Sequence, residues 1–243
     1  MDYQSIFKRY ELKYLISDAQ LQKVIFAMQG HMMPDAYFKS TVRSLYFDTD
    51  SCRLARHSIE HPAYKEKLRL RSYSRADAET LIFAELKKKY DSVVYKRRIE
   101  IPEGEAMQWI CEGAAPPSDS QITREIDYFI NYYGSLKPAA LITYDRLAYK
   151  SSEGSDLRIT FDSSILARVD DMTLEGGIYG HAVLPEGRTI MEIKTAGGMP
   201  LWLTDTLSTN HIYKSSFSKY GTVYKTMIYP ARCMETKTAA CMM

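Results

Sequence analysis

Along YKEKLRLRSY (64–73), hydrophobic and polar positions alternate, with Lys65, Lys67, Arg69 and Arg71 on one parity and Leu68 and Leu70 on the other. A period of two is the pattern of a strand, whose successive side chains point to opposite faces. One face of this strand is therefore wholly cationic. The pattern recurs. In RYELKY, Arg9, Glu11 and Lys13 oppose Tyr10, Leu12 and Tyr14. Glu85, Lys87 and Lys89 share a parity in FAELKKK, and Lys96, Arg98 and Glu100 oppose Tyr95, Ile99 and Ile101. Arg146, then Arg158 with Asp162, then Glu192 with Lys194 extend it into three later strands, ALITYDRLAYK, DLRITFDSSILARV and RTIMEIKTA.

Between the strands the apolar period lengthens to that of a helix. Ser17 is placed to cap DAQLQKVIFAM, where Leu21, Val24, Ile25 and Met28 share a face. Further helices are predicted over 51–59, from Glu103 to Cys111, in DSQITREIDYFINYYG (capped at Asp119 or Ser120 and stopped by Gly134), and from Pro200. Pro34-Asp35 reads as a polar turn ahead of the strand TVRSLYFD, and RADAET (75–80) as a hairpin connector. No fixed repeat and no linker divides the chain. The reading is one domain over 1–230, with a mobile tail over 231–243.

For a single strand, such alternation matches any antiparallel sheet with one face in water. Solvent faces, however, mix charge with Thr, Ser, Gln and Asn, whereas these carry Arg, Lys and Glu almost exclusively. Amphipathic helices are available to cover the apolar faces from outside. The expected fold is thus α+β: a closed eight-stranded antiparallel β-barrel with flanking helices and a charged lumen. Crowded like charge in a confined space destabilises a fold unless an anion enters. Net charge is only +2, so the chain is not a nucleic-acid-coating protein. No apolar run approaches the roughly 20 residues needed to span a bilayer, and the N-terminus lacks the apolar core of a signal peptide. The four cysteines form no CxxC pair and read as reduced thiols of a cytoplasmic protein.

Glu11-x-Lys13, preceded by Arg9, resembles the ExExK signature of the triphosphate tunnel metalloenzymes with its first Glu replaced by Arg. LRLR (68–71), AELK (84–87), YKRR (95–98), YDR (144–146), MEIK (191–194) and FSKY (217–220) are similar to the VTC branch of that superfamily, which includes polyphosphate polymerases. The resemblance runs from about Phe7 to Met227. It implies an eight-stranded tunnel, Mn2+ or Mg2+, and transfer of the γ-phosphoryl group of ATP onto inorganic polyphosphate. Carried over by position, Arg69, Arg71, Lys87, Arg146 and Lys219 would be catalytic. Arg9, Lys13, Lys67, Lys96, Arg98, Arg158 and Lys194 would bind phosphate, and Glu192 and Glu11 would hold the metal. Glu11 could equally pair with a tunnel cation, and Glu85 is expected to do so. A triphosphatase of the same superfamily and a non-catalytic polyphosphate-binding module are the alternatives; replacing the first Glu by Arg favours the polymerase.

Other constellations point elsewhere less well. His57 and His61 have a helical zinc spacing but no third ligand, and read as surface histidines. No GxxxxGK(S/T) exists, which excludes a P-loop. Most of the 19 tyrosines fall on the apolar parity and read as packing under the helices rather than as a surface for stacking RNA.

Overall fold

The computed structural model describes residues 10–60, 62–91 and 93–233. Its strands are β1 (Tyr10–Ser17), β2 (Met32–Asp48), β3 (Tyr64–Ser72), β4 (Leu81–Tyr90), β5 (Val93–Pro102), β6 (Lys137–Ser151), β7 (Arg158–Arg168), the two-residue β8 (His181–Ala182) and β9 (Arg188–Thr195). They form one antiparallel sheet in the order β1-β9-β7-β6-β2-β3-β4-β5, with β8 beside β7. The helices are α1 (Asp18–Ala27), α2 (Arg53–Ile59), α3 (Glu103–Glu112), α4 (Gln121–Tyr133), α5 (Leu201–Thr209) and α6 (Lys219–Val223), the last running into a π-helical turn over Tyr224–Ile228.

Local chemistry sets these boundaries. The Ser17 hydroxyl accepts from the Gln20 amide while the Gln20 side chain accepts from the Ser17 amide, closing a capping box. Ser120 does the same with Thr123 for α4. At the β3–β4 turn the Asp77 carboxylate gathers the Glu79 and Thr80 amides and the Thr80 hydroxyl.

The outer face of the sheet is apolar and covered. Leu68, Leu70, Ile82 and Leu86 are buried with Trp109 of α3 and with Ile126 and Phe129 of α4. Ile16, Met191 and Ile193 are buried with Val24 of α1 and Leu203 of α5. Each such side chain contributes about 1.5–3 kcal/mol when fully buried. This outward burial turns the charged parity of β1, β3, β4, β5, β7 and β9 to the concave side.

The structure corrects the sequence reading in three places. First, among the described residues the sheet is not closed by hydrogen bonds: β1 and β5 are its two edges. The free edge of β1 is instead occupied by backbone further on, with Tyr14 bridged to Lys214 and the Ser215 amide donating to the Lys13 carbonyl at 2.7 Å. Curvature still brings β1 to β4, because Lys87 reaches Glu11 at 3.0 Å. Second, the concave side is not charged throughout. Tyr46, Ile142, Tyr144, Ile165 and Ile190 pack there against Tyr220 and Val223 of α6. Tyr46 and Tyr144 therefore face inward, not under the covering helices. Third, Pro34-Asp35 is not a turn but part of β2, at a register shift between Pro34 and Lys39. There β2 pairs only with β6, so the missing proline N–H breaks no second ladder. Of the tail expected over 231–243, residues 231–233 are helical and 234–243 lie outside the described residues.

Candidate functional site

Register places the charged side chains in rows across the concave face. Lys67, Lys87 and Lys96 are directly opposed on β3, β4 and β5, and the next row is Arg69, Glu85 and Arg98. On the other wall Lys13, Glu192 and Thr160 align across β1, β9 and β7, and Arg146 aligns with Asp162 on β6 and β7. Between β1 on one side and β3 and β4 on the other lies a cavity of ≈690 Å³. Lys13, Lys65, Lys67, Lys87 and Lys89 line it, along with the segment from Lys214 to Ser218. A slightly larger hollow of ≈760 Å³ sits outside, between α1 and α5. It is a shallow surface groove with Lys23 and Asp205 as its charged groups, and does not compete as a site for chemistry.

Four carboxylates hold this array together. Glu85, fully buried, takes Arg69 at 2.8 Å, Lys96 at 2.5 Å and Arg71 at 3.6 Å. Asp162, also fully buried, accepts two hydrogen bonds from Arg146, at 2.6 and 2.7 Å, and one from Lys219 at 2.6 Å. Glu11 is gripped by Lys87 and lies 3.6 Å from Lys13. Glu192 has Lys13 on one oxygen at 3.1 Å and Lys194 on the other at 3.3 Å. Burial alone would push the Glu11 carboxyl up, but Lys87, with Lys13 and Lys194, outweighs it and Glu192 and brings it down to about 2. Glu192 lies well below the usual range for the same reason, burial being overcome by Lys13, Lys194, Lys219 and Arg146. Both carboxylates are firmly ionised.

The cations divide into satisfied and unsatisfied. Arg69 is braced from the side by the Tyr46 hydroxyl at 2.9 Å, and Tyr46 stacks on Tyr220 with centroids 4.8 Å apart. Lys219 and Arg146 both lie over the Tyr144 ring. Lys67 is different: its ammonium donates to the Ser218 hydroxyl at 3.0 Å and has no carboxylate among the described residues. Burial first, then repulsion from Lys13, Lys87, Lys65 and Arg69, push it well below the usual lysine range. Burial likewise outweighs Glu11 at Lys87 and Glu85 at Lys96 and lowers each to about 8. Arg71 is buried, and its Nε finds no partner among the described residues. The hydroxyl of Ser44, its register partner on β2, is likewise buried and without a partner among the described residues.

Of the sequence-predicted residues, Arg69, Arg71, Lys87, Arg146, Lys219, Lys13, Lys67, Lys194, Glu11 and Glu192 are brought to one connected concave surface. Lys96 is there through Glu85, on the exposed β5 edge. Arg98 is exposed at that edge and stacked over Phe83 at 4.3 Å. Arg158 is exposed at the end of β7, paired with Asp35 instead of the central cluster. Arg9 and His61 lie outside the described residues. Glu85 is a cation partner, as expected. Sequence reasoning counted Asp162 among the charged positions but gave it no role, although it organises two of the expected catalytic cations. Tyr46 and Lys214 were missed, because their segments do not alternate charge with apolar residues and no pattern marked them; Ser218 lies inside FSKY (217–220) but was given no role.

For a divalent cation the available donors are Glu192 and Glu11. Among the described residues no group of three or more His, Cys, Asp or Glu side chains is gathered around one point. Beside Glu192, the buried Thr160 hydroxyl has no hydrogen-bond partner among the described residues. Two ionised carboxylates with an orphaned hydroxyl fit Mn2+ or Mg2+ only where phosphate oxygens and water complete the octahedron.

A family model described as the VTC domain matches residues 8–228. No curated protein matches the chain significantly. Among solved structures, a Bacillus halodurans protein provisionally described as an adenylate cyclase superposes with a TM-score of 0.53 at 17% identity, covering 90% of this chain and 99% of its own. The PH1819 protein of Pyrococcus horikoshii gives 0.45 at 13% identity, covering 89% and 98%. A Vibrio parahaemolyticus protein, also provisionally described as an adenylate cyclase, gives 0.45 at 13%, covering 90% and 99%. The first of these likenesses establishes the shared architecture of sheet and flanking helices.

Proposed function

The chain belongs to the VTC domain family, and from that premise we propose that it is an ATP-dependent polyphosphate polymerase working on its concave, cation-lined surface. Lys67 carries the reading. A cation held among cations, with a neutral hydroxyl as its partner, is unfavourable in the free protein and becomes favourable when an anion enters. The unpartnered Nε of buried Arg71 points to the same ligand chemistry. A linear phosphate chain supplies anionic oxygens at regular intervals, and the rows of register supply cations to meet them.

In this reading the terminal phosphate oxygen of the acceptor chain attacks the γ-phosphorus of ATP. A new P–O bond forms as the bond to the β-phosphate oxygen breaks, and ADP leaves. Acceptor oxygens are anionic near neutral pH, so no general base is needed. Catalysis lies in in-line positioning and charge neutralisation. Arg69 and Arg146, each fixed by a buried carboxylate and an aromatic ring, offer planar donor pairs to the transferred group. Lys219, Lys87 and Lys13 act as point charges beside them, while Lys67, Lys96 and Lys194 extend the grip along the chain. Glu192 and Glu11 would hold Mn2+ or Mg2+, which supplies further charge neutralisation at the phosphates when bound.

The test is incubation of the pure protein with ATP and MnCl2. ADP together with long polyphosphate is the expected outcome. Orthophosphate without polymer would replace the polymerase reading by a triphosphatase, and neither product by a phosphate-binding module.

A further inference from the structure

Lys13 sits where the two carboxylates of the candidate metal site meet. An ammonium has three N–H donors and no acceptor. Those of Lys13 face Glu192 at 3.1 Å, Glu11 at 3.6 Å and the Phe217 carbonyl at 3.3 Å, so all three have protein partners. Lys194 takes the second oxygen of Glu192, and Lys87 takes both oxygens of Glu11. Every carboxylate oxygen that could bind a divalent ion thus already carries an ammonium. The Thr160 hydroxyl next to Glu192 is left without a partner among the described residues.

From this geometry we infer that Lys13 and Lys194 close the carboxylates to a divalent cation until a phosphate chain draws the two ammonium groups away. The inference rests on the phosphate-chain reading above and adds an order to it. A divalent ion arriving alone meets carboxylates already neutralised and three ammonium groups within 3.6 Å of them. A phosphate chain changes both sides of that balance. Its oxygens are alternative partners for Lys13, Lys87 and Lys194, and they are also the ligands a magnesium-like ion needs beyond one or two carboxylates. Metal and chain therefore bind with positive coupling, and linkage requires each to tighten the other by the same factor. Lys13 is a positioning residue for metal entry as well as a phosphate contact.

The experiment separates the two binding events. Mn2+ is titrated into the protein without phosphate and followed by the electron paramagnetic resonance of the free ion. Wild type should leave Mn2+ free at concentrations where Lys13→Gln and Lys194→Gln bind it, with affinities differing by about 5- to 150-fold. Lys13→Arg, which keeps the charge, should still exclude the ion, and melting curves confirm that each variant is folded. Calorimetry then compares tripolyphosphate binding to wild type in Mn2+ and in EDTA, after correction for the Mn2+–tripolyphosphate complex, with binding tighter in Mn2+ by the same range. If wild type binds Mn2+ alone as tightly as both Gln variants, or if Mn2+ leaves tripolyphosphate affinity unchanged, the ordered-entry inference is wrong. If tripolyphosphate binds in neither medium, the phosphate-chain reading falls and this inference with it.

Discussion

Replacing Lys67 by Gln should stabilise the free protein and weaken it as a phosphate binder. The introduced side-chain amide keeps a donor for the Ser218 hydroxyl, which now accepts from Lys67 at 3.0 Å, so the local hydrogen bond is not the main loss. What goes is a positive charge directly opposed to Lys87 and flanked along its own strand by Lys65 and Arg69. Opposed cross-strand pairs contribute about 0.2–1 kcal/mol each, with like charges unfavourable. Relief of one opposed pair and two flanking ones is worth about 1 kcal/mol, or an increase in Tm of about 2–4 °C for a chain of this size. Binding moves the other way. A charge-assisted hydrogen bond to phosphate is worth about 1.5–3 kcal/mol, so tripolyphosphate affinity should fall about 10- to 100-fold. Differential scanning fluorimetry and calorimetry at low ionic strength measure the two. Both differences should shrink as salt rises, because both are charge effects at a water-accessible surface. A lower Tm with unchanged tripolyphosphate affinity would instead make Lys67 a structural lysine.

Glu85→Ala should be among the most damaging single changes in the site. It strips a buried counter-ion from Arg69, Lys96 and Arg71 at once, and breaking a buried pair costs about 3–5 kcal/mol, visible as a loss of roughly 6–20 °C in Tm. Arg71→Ala should weaken tripolyphosphate binding about 10- to 100-fold with a much smaller drop in Tm, because Glu85 keeps Arg69 and Lys96; a collapse in Tm with full binding by the folded fraction would make Arg71 structural. On the alkaline side, Lys87 and Lys96 have folded values of about 8, below their ordinary 10.5, so their charge penalises the free fold below about pH 8. That penalty is relieved as pH rises from about 8 towards 10.5. Free-protein stability should therefore rise across that window, modestly because both groups are at least a third exposed, while tripolyphosphate affinity falls. Chemical denaturation at fixed ionic strength from pH 7 to 10 would expose the opposite trend. On the acid side, Glu11 titrates near 2 against an ordinary 4.5, so its stabilisation is complete above about pH 4.5 and is lost as pH falls towards 2; urea midpoints that already decline between pH 7 and 5 would contradict this.

The charged rows were legible because strand parity is rigid. Once Leu68, Leu70, Ile82 and Leu86 were destined for one face, Lys67, Arg69, Glu85 and Lys87 had to share the other. Closure was not legible. Alternation reports which face a side chain takes but not which strands pair. That β1 meets the backbone of Lys214 and Ser215 at its free edge depends on residues some 200 positions away in sequence. The inward tyrosines escaped for a related reason. In β2 and β6 both faces are buried over Val42–Phe47 and Ala140–Tyr144, so parity carries no polarity contrast there. Asp162 was visible as an inward charge, but its hold on both Arg146 and Lys219 joins β6, β7 and α6 and exists only in three dimensions.

A concave surface built to receive a phosphate chain should be stabilised by one. The most direct measurement is the Tm of the wild-type protein titrated with sodium tripolyphosphate at low and at high salt. A ligand that binds only the folded state raises Tm by mass action. A progressive rise at low salt that weakens as salt is added is the outcome expected here. No shift at millimolar tripolyphosphate in low salt would contradict it.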